Sequence, residues 1–267
     1  PAAVWCCGVF YFLMKKGVIM QLKTSVRNLV EFILRSGNID NRHAASPENA
    51  MAEGSRIHRM IQKRMGMEYK AEVPLRYVLD TKRYEIVIEG RADGIITEEN
   101  GFVIDEIKGT YRDLIKMSEP ALVHLAQAKC YAYIYAWKLR QEQTDNESKI
   151  GVRMTYCNLD TEEIRYFDSH YLYEELETWF LDLLDSYQKW ADMEYEWKEK
   201  RQASIHALEF PFPYRKGQKE LATYVYQTIC HKKKLFLEAP TGVGKTISTV
   251  FPSVKAIGEG KADKLFH

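Results

Sequence analysis

The stretch EIVIEGRADGIITEENGFVIDEIKGT, residues 85–110, decides how the rest of the chain is read. Two runs rich in β-branched residues, 83–96 and 102–108, flank a polar turn containing Asn100-Gly101, which is the pattern of an antiparallel hairpin. A two-residue Asn100-Gly101 turn places Asp93 opposite Lys108, and a four-residue loop over 98–101 places it opposite Glu106. Both registers share one parity, so Asp93, Glu106 and Lys108 converge on one face and Asp105 points to the other. Two carboxylates suit Mg²⁺ or Mn²⁺, with the Asp93 and Glu106 groups expected within about 5 Å of each other. Lys108 would then orient water or steady developing negative charge. The plainer alternative is a cross-strand ion pair on a sheet surface, worth ~0.2–1 kcal/mol.

Working outward, Ser25 can cap a helix whose apolar positions Val26, Leu29, Val30, Phe32, Ile33 and Leu34 recur at helical spacing until Gly37. A second helix is expected over 47–65 and carries His58. An extended run at 72–79 precedes the hairpin, and a helix over 121–140 follows it, with Gln127 and Tyr131 at i and i+4 on one face. Strands at 150–157 and near 163–167 and a long helix from 171 to about 200 complete a mixed α/β region. A lone helix histidine is usually structural, and Tyr131, Tyr133, Tyr135 and Trp137 can equally be core packing.

The order GSRIH, GRADG, DEIKG, QAKCY resembles the PD-(D/E)XK nucleases of the RecB-like branch. The resemblance implies an αβββαβ core and a metal-dependent phosphodiesterase site. By position, His58 resembles the histidine metal ligand, Asp93 and Glu106 the metal carboxylates, and Lys108 the catalytic lysine, with Mg²⁺ or Mn²⁺ as cofactor. Gln127 and Tyr131 resemble the terminal motif, which contacts DNA. Some members add an iron–sulfur cluster held by four cysteines. The matching segment has only Cys130 and Cys157, so no cluster is expected in it.

The last sixty residues change character. EFPFPYRKGQKELATYVYQTI reads as a proline-punctuated entry into a helix, and KKKLFLEAP as a short buried strand running into APTGVGKT, residues 239–246. Strand, phosphate loop and helix are the context that a nucleotide loop requires. The backbone N–H groups of Thr241, Gly242, Val243, Gly244 and Lys245 would cradle a β-phosphate; Lys245 would reach the β and γ oxygens, and Thr246 would ligate Mg²⁺ with ATP. With FPYRKGQ upstream, this resembles the start of DinG/XPD-type superfamily two DNA helicases, which implies that Arg215 and Gln218 seat the adenine. Ala239 stands at the first glycine position of the loop, which such helicases commonly accept. Only 21 residues follow Thr246, too few for the rest of a motor. The chain is therefore expected to be the N-terminal part of a helicase acting in DNA repair or processing, with the remaining helicase domains missing in cis and no ATP turnover by itself.

The expected organisation is a leader of upstream sequence at 1–19, a nuclease domain at 20–205 and the truncated start of a RecA-like P-loop domain at 206–267. Lys plus Arg number 38 against 37 acids, so attraction to DNA has to come from local patches. Five cysteines without paired spacing fit a reducing, cytoplasmic compartment. The apolar run at 4–14 is too short to span a bilayer, which takes ~20 residues, and its charge follows rather than precedes it, so no membrane association is expected. A second expectation of another class stays open: a nuclease-like fold that grips DNA or positions the motor without cutting.

Overall fold

A computed structural model describes residues 20–37, 47–142 and 149–266, with side chains described outside 47–51. The proposed leader at 1–19, with Cys6 and Cys7, lies outside the described residues. The elements run β1 (Gln21–Ser25), α1 (Val26–Ile33), α2 (Pro47–Arg64), β2 (Tyr69–Asp80), β3 (Glu85–Glu98), β4 (Gly101–Thr110), a 3₁₀ turn (Leu114–Lys116), α3 (Leu122–Gln141), β5 (Lys149–Asn158), β6 (Ile164–Tyr171), α4 (Tyr173–His206), α5 (Gln218–Cys230) and α6 (Lys245–Gly258). The chain divides into two compact units between Lys189 and Trp190, inside α4.

The first unit is built on one mixed six-stranded sheet. β3 is its spine, with Ile86, Val87, Ile88, Ala92 and Ile95 completely buried, so that both of its faces are covered over 86–88. β2 pairs antiparallel along one edge of β3, from Tyr69↔Ile96 to Asp80↔Glu85. The other edge is shared. β1 runs parallel to residues 85–89, and β4 runs antiparallel to residues 94–98. Between them, at Gly90, Arg91, Ala92 and Asp93, β3 has no partner on that edge among the described residues, and the sheet forks. β4 continues into a parallel pairing with β5, and β5 pairs antiparallel with β6.

The hairpin takes the register that aligns Asp93 with Glu106, but its loop is Glu99-Asn100, closed by the pair Glu98↔Gly101. The ladder stops at Gly94↔Asp105, one step before Asp93. β1 is absent from the sequence reading, since QLKTS has one buried apolar residue, Leu22, and pairs only with a strand sixty residues away. α1 does start at Ser25, whose hydroxyl accepts from the Asn28 N–H at 3.0 Å, but it ends at Ile33 rather than at Gly37. Leu34 caps it, and the following Arg35-Ser36-Gly37 offers no apolar face and poor helix propensity.

Tyr77, Tyr133 and Phe180 form an edge-and-tilt aromatic cluster between β2, α3 and α4, with ring centroids 4.6–5.9 Å apart. In the second unit, α5 and α6 bury Leu221, Ala222 and Ala256. The strand expected within KKKLFLEAP is not formed: residues 233–240 carry no strand, and Phe236 is 91% exposed. A strand needs a neighbour for its backbone groups, and no other strand of the described residues lies in this unit.

Candidate metal centre

Helix α2 is fixed by its apolar ridge. Ile57 and Ile61, four residues apart, pack on Ile107 of β4 and Cys157 of β5. The adjoining ridge, His58 and Gln62, is thereby turned toward the fork in the sheet. His58 Nδ1 lies 3.3 Å from Asp93 Oδ1. Gln62 Nε2 donates to the Asp93 carbonyl at 2.9 Å and to Glu72 Oε1 at 3.1 Å. Asp93 closes the fork with its side chain, its Oδ2 accepting the Ile107 N–H at 2.8 Å where a ladder bond would otherwise run.

Glu106 is fully buried. Its Oε1 accepts from Lys108 Nζ at 2.5 Å, and its Oε2 has no hydrogen-bond partner among the described residues. Burial and then the Asp93 charge push its carboxyl up to about 8, against the pull of Lys108 and His58. Burial draws the His58 imidazole toward its neutral form, yet the Asp93 carboxylate outweighs this and its pKa is raised. Asp93, Glu106, Lys108 and His58 thus share one electrostatic neighbourhood. Asp105 faces away, as its parity requires, and accepts from Thr155 Oγ1 and from the Tyr69 hydroxyl.

One carboxylate at this place escaped the sequence reading. Glu72 of β2, His58 and Asp93 each offer a ligand atom within 4.8 Å of the other two, whereas Glu106 is held by Lys108. Nothing in KAEVPLR marks Glu72, because its location depends on a backbone conformation, φ +55°, that non-glycine residues rarely adopt.

On α3, Gln127 and Tyr131 are buried and Gln127 Nε2 lies 3.5 Å from the Tyr131 hydroxyl. The Tyr131 hydroxyl meets the Arg91 backbone, and the ring lies against Gly90, where an added Cβ would approach the phenol oxygen to 2.7 Å. Burial first, and then the Glu106 charge, raise the Tyr131 pKa, so it stays a neutral phenol. Tyr131 therefore backs the fork from beneath.

His124 is one turn earlier on the same face. Its Nδ1 lies 2.9 Å from the Tyr156 hydroxyl, which itself accepts the Ala121 N–H at 3.0 Å. Burial, followed by the charges of Lys108 and Arg27, lowers the imidazole to about 4, with Glu31 opposing and Arg112 adding to the shift. Because the unfolded chain takes up this proton near pH 6.5 and the folded chain only near 4, stability is full above 6.5 and falls as pH drops through that window. Between pH 7 and 5 the wild type is expected to lose about 1 kcal/mol more than His124→Asn, after allowance for partial exposure. Urea unfolding at the two pH values checks this, and equal losses would contradict the buried neutral imidazole.

In the second unit, Gly242 and Gly244 take φ of +86° and +81°, and α6 begins at Lys245 with Gly244 as its cap. Lys245 Nζ donates to the Ala239 and Pro240 carbonyls at 2.9 and 3.2 Å, so the loop curls around it. Arg215 Nη1 donates to the Gly242 carbonyl, and Gln218 Oε1 accepts the Arg215 N–H at 3.0 Å. An added Cβ on Gly244 would approach Gln218 Nε2 to 2.5 Å. The Arg-Gln segment and the 239–246 loop are thus one arrangement.

Among the described residues no helix is long and apolar enough to cross a membrane. A 46-residue segment is 44% identical to "Probable ATP-dependent helicase MJ0942" of Methanocaldococcus jannaschii, and it covers 17% of this chain and 7% of that relative's length. A solved structure described as "Crystal structure of SSO0001" aligns with a TM-score of 0.39 at 14% identity, over 61% of this chain and 75% of that one. The profile of the PD-(D/E)XK nuclease superfamily matches residues 20–205. With that match extending over well more than half of its length, the chain belongs to the PD-(D/E)XK nuclease superfamily.

Proposed function

We propose that residues 20–205 form a Mg²⁺- or Mn²⁺-dependent DNA nuclease whose centre is His58, Asp93 and Glu106, with Lys108 as the catalytic cation. The observation that carries this is the orphaned Oε2 of fully buried Glu106 beside the Asp93 carboxylate. A buried carboxylate with an unused oxygen is costly by itself, and hard oxygen donors with an imidazole are a set that these divalent ions accept. When bound there, the ion supplies Lewis acidity toward a phosphodiester and a more acidic water. Lys108 Nζ stands against Glu106 Oε1, where it is placed to steady charge that develops on the phosphate. Tyr131 backs the forked strand with Gln127 beside its hydroxyl, and the resemblance adds DNA contact to their role.

Residues 206–267 are proposed as the opening of a DinG/XPD-type helicase ATP-binding domain, with Thr241, Gly242, Val243, Gly244, Lys245 and Thr246 for the phosphates and Mg²⁺, and Arg215 and Gln218 for the base. Support comes from the two left-handed glycines, the curled Lys245 and the helicase-named relative. The whole protein would be a helicase–nuclease acting in DNA repair or processing.

The test is incubation of the 267-residue chain with single-stranded and branched DNA. Cleavage is expected with Mn²⁺ and should cease on chelation by EDTA. DNA retained but uncut under all metal conditions would identify a gripping module instead.

A further inference from the structure

Glu72 sits on β2 directly across from Asp93. Ala71 pairs with Gly94 and Val73 with Ala92, but the ladder skips the pair between them. The reason is the Glu72 backbone, whose φ of +55° is a strained conformation for a glutamate in a strand. Its consequence is to bring the carboxylate within 4.8 Å of the ligand atoms of His58 and Asp93. Independently, Glu106 brings a buried, unpartnered oxygen whose charge is felt by the same two residues. Two carboxylates therefore flank one imidazole, and a third, buried in the same electrostatic field, has an oxygen with no partner among the described residues.

Glu72 is currently occupied by two weak holders. Gln62 Nε2 donates to its Oε1 at 3.1 Å, and Arg91 Nη1 to its Oε2 at 3.1 Å. The Arg91–Glu72 pair is largely in solvent, with side chains 64% and 44% exposed, so water and salt screen it and either member exchanges partners easily. Arg91 also lines an open groove of about 980 Å³ together with Arg59 and Arg76, and His58, Gln62 and Asp93 stand in the same wall. Arginine forks of this kind suit the phosphates of a nucleic acid backbone.

We propose that Glu72 is an additional ligand of the cation centre and that Arg91 controls its release: with the groove empty Arg91 holds the Glu72 carboxylate, and when Arg91 turns to a DNA phosphate, Glu72 passes to the cation. The inference rests on the nuclease reading only in placing a divalent ion beside His58 and Asp93. Linkage then makes the coupling reciprocal, so DNA in the groove tightens the ion and the ion tightens DNA.

Mn²⁺ binding to the full chain without DNA, followed by the EPR signal of free Mn²⁺, tests this. Arg91→Ala is expected to bind Mn²⁺ about threefold tighter than wild type, because a competing cation is gone. A misfolded variant cannot produce that gain. Glu72→Gln is expected to weaken binding about tenfold, and the double variant to match Glu72→Gln alone. Unchanged affinity in Glu72→Gln alongside a loss in Glu106→Gln overturns the inference and leaves the nuclease centre standing. Unchanged or weaker binding in Arg91→Ala overturns the control by Arg91. No Mn²⁺ binding by the wild type sinks this inference and the nuclease centre together.

Discussion

Lys108→Ala is expected to lower Mn²⁺-dependent DNA cleavage by at least about a thousandfold while leaving Mn²⁺ binding intact or tighter. The lysine is held on β4 two residues from Glu106, with its Nζ 2.5 Å from Glu106 Oε1. It therefore competes for the carboxylate as well as serving the site, and its removal frees both Glu106 oxygens. Without metal the variant carries a buried Glu106 with no partner at either oxygen, and is expected to lose about 1–3 kcal/mol of stability that Mn²⁺ restores. Burial raises the Glu106 carboxyl and Lys108 lowers it, so loss of the lysine raises it further and uptake of a proton offsets part of this loss. Asp93→Ala should differ in kind: cleavage and Mn²⁺ affinity disappear together, since Asp93 both faces His58 and closes the fork onto Ile107. Single-turnover cleavage with parallel Mn²⁺ titration separates the two patterns. Cleavage by both variants at the wild-type rate would trace the activity to a contaminant and sink the nuclease reading.

Gly94→Ala is expected to destabilise the first unit by about 2–5 kcal/mol, the sum of overpacking and of a buried acid deprived of one hydrogen-bond donor. A Cβ at this glycine would stand 1.9 Å from the Tyr69 hydroxyl and 2.0 Å from the ring carbon that bears it. Tyr69 would have to leave, and with it the 3.0 Å hydrogen bond to Asp105 Oδ2. Asp105 is buried, burial raises its pKa, and Thr155 and Tyr69 are what offset that rise. The shift would also reach Asp93, which is the preceding residue on β3. Urea unfolding of the variant checks the effect, and a midpoint within error of wild type would mean that Tyr69 is not packed where the structure places it. Here the reason for glycine lies in contact and not in φ, since a tyrosine from β2 occupies the space over the strand.

The division between local and distant information can be followed residue by residue. Length and composition located the hairpin, α2 and α3 to within a few residues, while α4, expected to end near 200, runs on to His206. Alternation in a strand is a strict period of two, so parity sufficed to group Asp93 with Glu106 and Lys108 and to send Asp105 to the other face, even though the turn could not be chosen; that Thr155 meets Asp105 there only the structure shows. Pairing with distant strands is a different matter. β1 exists only because residues 85–89 offer it an edge, and residues 233–240 carry no strand because no described neighbour offers one. The fork at Gly90 to Asp93 depends on β1 and β4 sharing one edge of β3, and no local pattern encodes how two other strands divide an edge. Glu72 is the extreme case. Its carboxylate reaches the site through a left-handed backbone that its own residue type disfavours, and such a conformation persists only when the surrounding ladder, here Ala71↔Gly94 and Val73↔Ala92, imposes it from both sides.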